Sequence, residues 1–157
     1  MIVTIICDIP LSRSNGTAVA AGNLINALKE RGHEVRVVCP DENLWGKEGY
    51  FITQKRNFGP FNKYVAKNGV TLAKPDEKML LKAISGADII HCIMPFALSA
   101  AAVRIARELN IPVSAGFHCQ AENVTNHMGL EGSRPANKLV YRRFYRRIYS
   151  KCDCIHY

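Results

Sequence analysis

A doubly wound α/β fold, with a mostly parallel sheet and helices on both faces, is predicted by three features of the sequence. Apolar, largely β-branched runs of strand length recur along the chain: "IVTIIC", "EVRVVC", "ADIIHCIM" and "IPVSAGFH". Runs without polar alternation are expected of parallel strands covered on both faces. Stretches of helical spacing separate them, and β-α-β…α-β-α-β order implies right-handed crossovers. Finally, 157 residues with 48% hydrophobic content suffice for one core, so residues 1–157 are read as one domain.

The elements follow in order. After "IVTIIC" and a loop from Asp8 to Gly16 comes "TAVAAGNLINALKERG". Val19, Leu24, Ala27 and Leu28 recur at helical spacing there. Lys29 and Arg31 suit the negative end of the helix dipole, and Gly32 suits the position just past the helix. "EVRVVC" completes a βαβ unit. Further on, "GYFIT" reads as a short strand, "RNFGPFNKYV" as an irregular surface segment and "GVTLAKP" as another strand. "PDEKMLLKAISG" reads as a helix with Pro75 in its first turn, early acids and Gly86 at its end. "ADIIHCIM" is a buried strand, "FALSAAAVRIARELN" a helix, and "IPVSAGFH" the next strand. "RPANKLVYRRFYRRIYSK" forms a helix on which Leu139, Val140, Phe144 and Ile148 share one face, and "CDCIHY" begins one more buried strand. A buried strand so near the end leads us to expect that the chain is part of something longer.

Composition narrows the function classes. The formal charge is +8, from 21 Lys and Arg against 13 Asp and Glu, which favours an anionic partner, whether phosphate, nucleotide, lipid headgroup or nucleic acid, without choosing among them. Signals for nucleic-acid readers are absent, and so is nucleic acid from the expected partners. The apolar start meets Asp8 and Pro10 at once and has no basic region before it, so it is a strand and not a signal peptide. Asp88, His91, Pro95 and Ser99 interrupt the longest apolar stretch, which is therefore not a membrane span. Cytoplasmic residence is expected, with peripheral contact on the inner face of the membrane left open. Cys7, Cys39, Cys92 and Cys119 fall near strand ends as small hydrophobes, and alternation would put Cys152 and Cys154 on one face. The five histidines lack metal-ligand spacing, and no metal or cofactor is expected.

In open α/β sheets ligands bind at the carboxyl ends of the strands, so the loops Asp8 to Thr17, His91 to Phe96 and His118 to Asn126 should gather there. Asn15, Gly16 and Thr17 open a helix whose N-terminal amides suit an anion, with glycine permitting close approach; a simple glycine turn with Thr17 as cap is the competing reading. The spacing matches neither G-x-G-x-x-G nor a P-loop. In "SAGFHCQAENVT", His118, Gln120, Glu122, Asn123 and Thr125 offer donors and acceptors suited to sugar hydroxyls where an apolar strand runs out. A histidine satisfied within the fold is the alternative for His118. Lacking a nucleophile constellation, any catalysis is expected to rest on positioning and electrostatics. Arg142, Arg143, Arg146 and Arg147, with Arg134, Lys138 and Lys151 and interleaved tyrosines, make an anion or membrane patch; a plainly solvated helix face is the other reading.

These residues resemble family 4 retaining glycosyltransferases of the GT-B fold. "RGHEVRVV" after a glycine-led helix is similar to their first βαβ unit, "ADIIHCIMPF" to their "aDvvHvh.P" strand and "IPVSAGFHCQAENVT" to their "iPvv.t.H" strand. "KCDCIHY" resembles their "aD.vi..S" segment. The matches run in family order over nearly the whole chain. The resemblance implies the acceptor-side half of an enzyme moving a sugar from a nucleotide-sugar donor with retention, to a sugar or lipid acceptor. It also implies a C-terminal domain that carries most of the donor site, without which this half is expected to be inactive. By resemblance, Gly16 contacts the donor phosphates and His118 the transferring sugar or the acceptor. Many members have a Gly-Gly pair where this chain has Asn15-Gly16. A sugar-nucleotide epimerase of the same fold and a non-catalytic α/β binding module are the alternatives; a receiver domain is disfavoured because Asp8 stands without neighbouring acids.

Overall fold

A computed structural model describes residues 1–12, 15–63 and 71–157. These form six strands, β1 (Ile2–Ile6), β2 (Glu34–Cys39), β3 (Tyr50–Ile52), β4 (Ile89–Cys92), β5 (Val113–Gly116) and β6 (Cys154–His156). Five helices accompany them: α1 (Gly16–Glu30), α2 (Glu77–Ile84), α3 (Ala97–Glu108), α4 (Ala121–His127) and α5 (Arg134–Arg147). The sheet order is β3-β2-β1-β4-β5-β6 and every strand pairing is parallel. One isolated antiparallel bridge joins Lys55 to Ala73. Strand order reverses between β1 and β4, which makes their carboxyl ends the switch point of a doubly wound sheet.

Two apolar layers hold the sheet. On one face Val3, Ile5, Cys7, Val35, Val37 and Cys39 pack with Ala21 and Ile25 of α1. On the other, Ile6, Val38, Ile90, Cys92, Val113 and Ala115 meet Leu80 and Ile84 of α2, Val103 and Ala106 of α3, and Phe144 of α5. Thr4 is buried in this second layer because its hydroxyl donates to the Ala83 carbonyl of α2. Among the described residues no helix is long and apolar enough to cross a membrane.

Several local expectations are corrected. Helix α1 buries Ala18, Ala21 and Ile25, while Val19 stays 54% exposed; three small or medium residues allow α1 to lie close to the sheet. Its cap is Asn15, whose Oδ1 accepts from Ala18 N at 2.8 Å, and not Thr17. Pro75 precedes the Asp76 cap of α2 instead of lying within the first turn. Of "GVTLAKP", Gly69 and Val70 lie outside the described residues, and the remainder forms no named strand but an isolated bridge at Ala73. "RNFGPFNKYV" contains a 3₁₀ turn at Gly59–Phe61, and its last two residues are also outside. On α5, Leu139 points to solvent while Val140, Tyr141, Phe144 and Ile148 face the core. Strand β6 is an edge strand with Cys154 and His156 exposed, and not a buried one. Cys152 precedes it, packs on the α5 side and donates its thiol to the Ile148 carbonyl, so the two cysteines do not share a face. Cys7, Cys39, Cys92 and Cys119 are buried as expected, and burial pushes the thiols of Cys7 and Cys39 up to about 12.

Candidate functional site

The site begins where the sheet stops being apolar. By register Ile5 pairs with His91, His91 with Ser114, Ser114 with Cys154, and Gly116 with His156. These positions share the face that α1 covers over β1 and β2, yet across β4, β5 and β6 they carry polar or small side chains. Parallel strands ordinarily bury both faces. A polar or small departure running across three adjacent strands, from His91 through Ser114 and Gly116 to Cys154 and His156, marks a surface kept for something other than packing.

His91 anchors it. Its Nδ1 lies 2.9 Å from Ser114 Oγ, whose hydroxyl donates in turn to the Ile90 carbonyl at 3.3 Å. The contact holds the His91 ring against β5. Burial, followed by the nearby His118 and His156, depresses the His91 pKa to about 4. His91 stays uncharged at neutral pH, and His118 and His156 lie near enough to add to the shift. His118 itself is exposed and lies against Gly116: a Cβ there would sit 2.5 Å from His118 Cδ2 and 2.6 Å from Nε2. Glycine at 116 is what allows the ring to rest over the strand end.

The polar stretch after His118 is a helix and not a loop: α4 opens at Ala121, with Gln120 as its cap residue. This divides the predicted cluster. Glu122 accepts from the Tyr141 hydroxyl at 2.7 Å and from Asn137 Nδ2 at 3.3 Å, and the tyrosine bond holds its carboxyl below the usual carboxylate range. Thr125 is buried, and its hydroxyl lies 2.5 Å from Asn137 Oδ1 and within reach of the Ala121 and Glu122 carbonyls. Both residues fasten α4 to α5. Gln120 and Asn123 remain exposed, two and five residues after His118.

Helix α1 starts at this same edge and on this same face, because it runs antiparallel to the strands. Its first turn contains no acid, so the positive end of its dipole is uncompensated. A Cβ on Gly16 would meet nothing within 4 Å, leaving open space before the backbone of Asn15, Gly16 and Thr17. The switch point is braced by Asp8, a residue whose role the sequence reading missed. Fully buried after β1, its carboxyl accepts from Leu98 N at 2.8 Å, Ser99 N at 3.3 Å and Ser99 Oγ at 2.6 Å, capping α3 from another strand. Burial raises its pKa to about 7, against the three hydrogen bonds that pull it down. The Asp8 carbonyl also accepts from Ala73 N. Among the described residues no set of three His, Cys, Asp or Glu side chains is arranged to hold a metal ion.

A family model described as Glycosyltransferase Family 4 matches residues 14–157. The chain belongs to Glycosyltransferase Family 4. The match takes in the site residues from Asn15 to His156, while β1 and Asp8 lie before it. Among solved structures the chain is similar to MurG of Acinetobacter baumannii, at 15% identity and a TM-score of 0.43. That likeness covers 73% of this chain and 34% of the MurG chain, so the chain spans about a third of that protein's length. Among curated proteins none matches.

Proposed function

We propose that this family 4 domain is the acceptor-side half of a glycosyltransferase that moves a sugar from a nucleotide-sugar donor with retention of configuration. The observation that carries the reading is the convergence, on one face and one edge of the sheet, of an uncompensated helix N-terminus with an exposed histidine. The two suit the two ends of a glycosyl donor. Amides at Gly16 and Thr17 offer hydrogen bonds and positive potential to the phosphates, whose negative charge grows as the glycosidic bond breaks. His118, resting on Gly116, offers a ring nitrogen to the transferring sugar or the acceptor hydroxyl, with Gln120 and Asn123 following it in the chain for further hydroxyls. Glu122 and Thr125 act one step back, holding α4 in place. Neutral His91 supports the strand end without adding a charge that would compete with the donor.

On this reading a second domain completes the donor site, the nucleotide sugar is a substrate and no cofactor takes part. The enzyme works in the cytoplasm on a sugar or lipid acceptor. The test is to replace His118 by Ala in the complete enzyme. A fall of ~10²–10⁴ in kcat/KM with unchanged folding is expected for a positioned polar group acting in the transition state. Unchanged kcat/KM in a folded variant would refute the role. The 157-residue chain alone should show no turnover on a panel of nucleotide sugars, and robust turnover would overturn the two-domain reading.

A further inference from the structure

The outer face of α5 is strongly cationic and plays no part in the site above. Arg134, Lys138, Arg142, Arg143, Arg146 and Arg147 all lie on this helix, Lys151 follows it, and all seven are exposed. The helix contains no acid, and among the described residues none of these seven side chains forms an ion pair. The arrangement works against the helix itself. Arg134 and Lys138, Lys138 and Arg142, Arg142 and Arg146, and Arg143 and Arg147 are like charges four residues apart, which destabilise a helix. Arg134 also sits in the first turn, where the dipole disfavours a cation. Helix α3 shows how this protein treats an ordinary solvated face: Arg104 is paired with both Glu108 and Glu77. A solvated face has no need of unrelieved repulsion, whereas a face that meets an anionic surface does.

Two apolar residues lie within the cationic row. Leu139 is 69% exposed and Tyr145 is 62% exposed. Three- and four-residue steps put Lys138, Leu139, Arg142, Tyr145 and Arg146 on one face, opposite Phe144, which is buried against the sheet. Arginines flanked by an aliphatic and an aromatic side chain on a single helix face match the boundary between headgroups and acyl chains.

We propose that this face of α5 docks on an anionic lipid surface, the cations meeting headgroup phosphates while Leu139 and Tyr145 enter the interface. The contact is electrostatic in its main part and reversible. On the transfer reading, which it does not require, it would hold the sheet's carboxyl edge beside a membrane-borne acceptor.

The test is vesicle co-sedimentation of the 157-residue chain, with phosphatidylglycerol-containing vesicles against pure phosphatidylcholine. Binding should require the anionic lipid and weaken with added salt. Arg142→Glu/Arg146→Glu should weaken it by about 30-fold or more, from the contribution of two cations near an anionic surface. The fold of each variant is checked by circular dichroism. Leu139→Ser/Tyr145→Ser changes only exposed positions and should abolish the fraction of binding that survives at raised salt. A duplex DNA oligonucleotide serves as the competing polyanion. Equal binding to neutral vesicles, no binding at low salt, or vesicle binding that DNA displaces while Leu139→Ser/Tyr145→Ser leaves it unchanged would each overturn the proposal. None of these readouts involves sugar transfer, so failure here leaves the transferase reading standing and the converse also holds.

Discussion

Replacing Asp8 with Asn should abolish a pH dependence of stability that runs opposite to the usual one for a carboxylate. In the unfolded chain this carboxyl ionises near 3.8, whereas burial raises it to about 7 in the folded protein. Below pH 4 both states carry the proton and the folded state keeps its full advantage. Between pH 4 and pH 7 the unfolded chain gives up its proton while the folded chain retains it, so stability falls as pH rises. Above pH 7 both are ionised and the dependence ends. A separation of about three pH units corresponds to roughly 4 kcal/mol of stability lost across that window. Asn imitates the protonated acid: its Oδ1 can accept from Leu98 N, and its Nδ2 can donate to Ser99 Oγ once that hydroxyl turns, with only the longer bond from Ser99 N lost. Urea unfolding followed by circular dichroism from pH 4 to pH 8 measures the difference. The two proteins should be nearly equal at pH 4, with the Asn variant progressively the more stable towards pH 8. A flat difference, or a wild type that gains on the variant as pH rises, would refute the reasoning. It would mean that the α3 amides and dipole outweigh burial and keep Asp8 ionised throughout.

Gly116→Ala should leave the domain folded yet reproduce the activity loss of His118→Ala in the complete enzyme, because the added Cβ would lie 2.5 Å from the ring and displace it; steady-state kinetics compares the two. Asn15→Ala removes the side-chain acceptor for Ala18 N and should cost about 1 kcal/mol in urea unfolding. Thr125→Val keeps the volume but strips a buried hydroxyl from its partners on α4 and α5, and should cost about 1–3 kcal/mol by the same assay.

The layered architecture was legible because parallel strands announce themselves as unbroken apolar runs, and β1, β2, β4 and β5 all fell where those runs lie. Helix faces were less legible. In α1 the small residues Ala18 and Ala21 make the contact, and hydrophobic periodicity ranks them below the larger Val19, which is left outside. The same rule placed Leu139 inside when the true inner face is completed by the amphipathic Tyr141. Within the site, "HCQAENVT" was visible as a polar cluster, but nothing local distinguishes a free side chain from one bonded across to another helix. Glu122 and Thr125 are tied to Asn137 and Tyr141, between 12 and 19 residues away. Asp8 and its partners Leu98 and Ser99 are about 90 residues apart, and His91 meets Ser114 only through the pairing of β4 with β5. Those contacts are products of register, which a single sequence does not display. A histidine or serine recurring on one face at the ends of successive strands was the available signal.

The central claim is that ligands meet this domain at the carboxyl edge of its sheet, between the start of α1 and the end of β5. Chemical-shift mapping of the 157-residue chain with a panel of nucleoside-diphosphate sugars tests it most directly. Perturbations concentrated at Gly16, Thr17, Gly116, His118 and Asn123, and abolished at the α1 amides by a bulky Gly16→Val substitution, are predicted. Perturbations gathered at the opposite edge, around His33 and Ile111, would contradict the account.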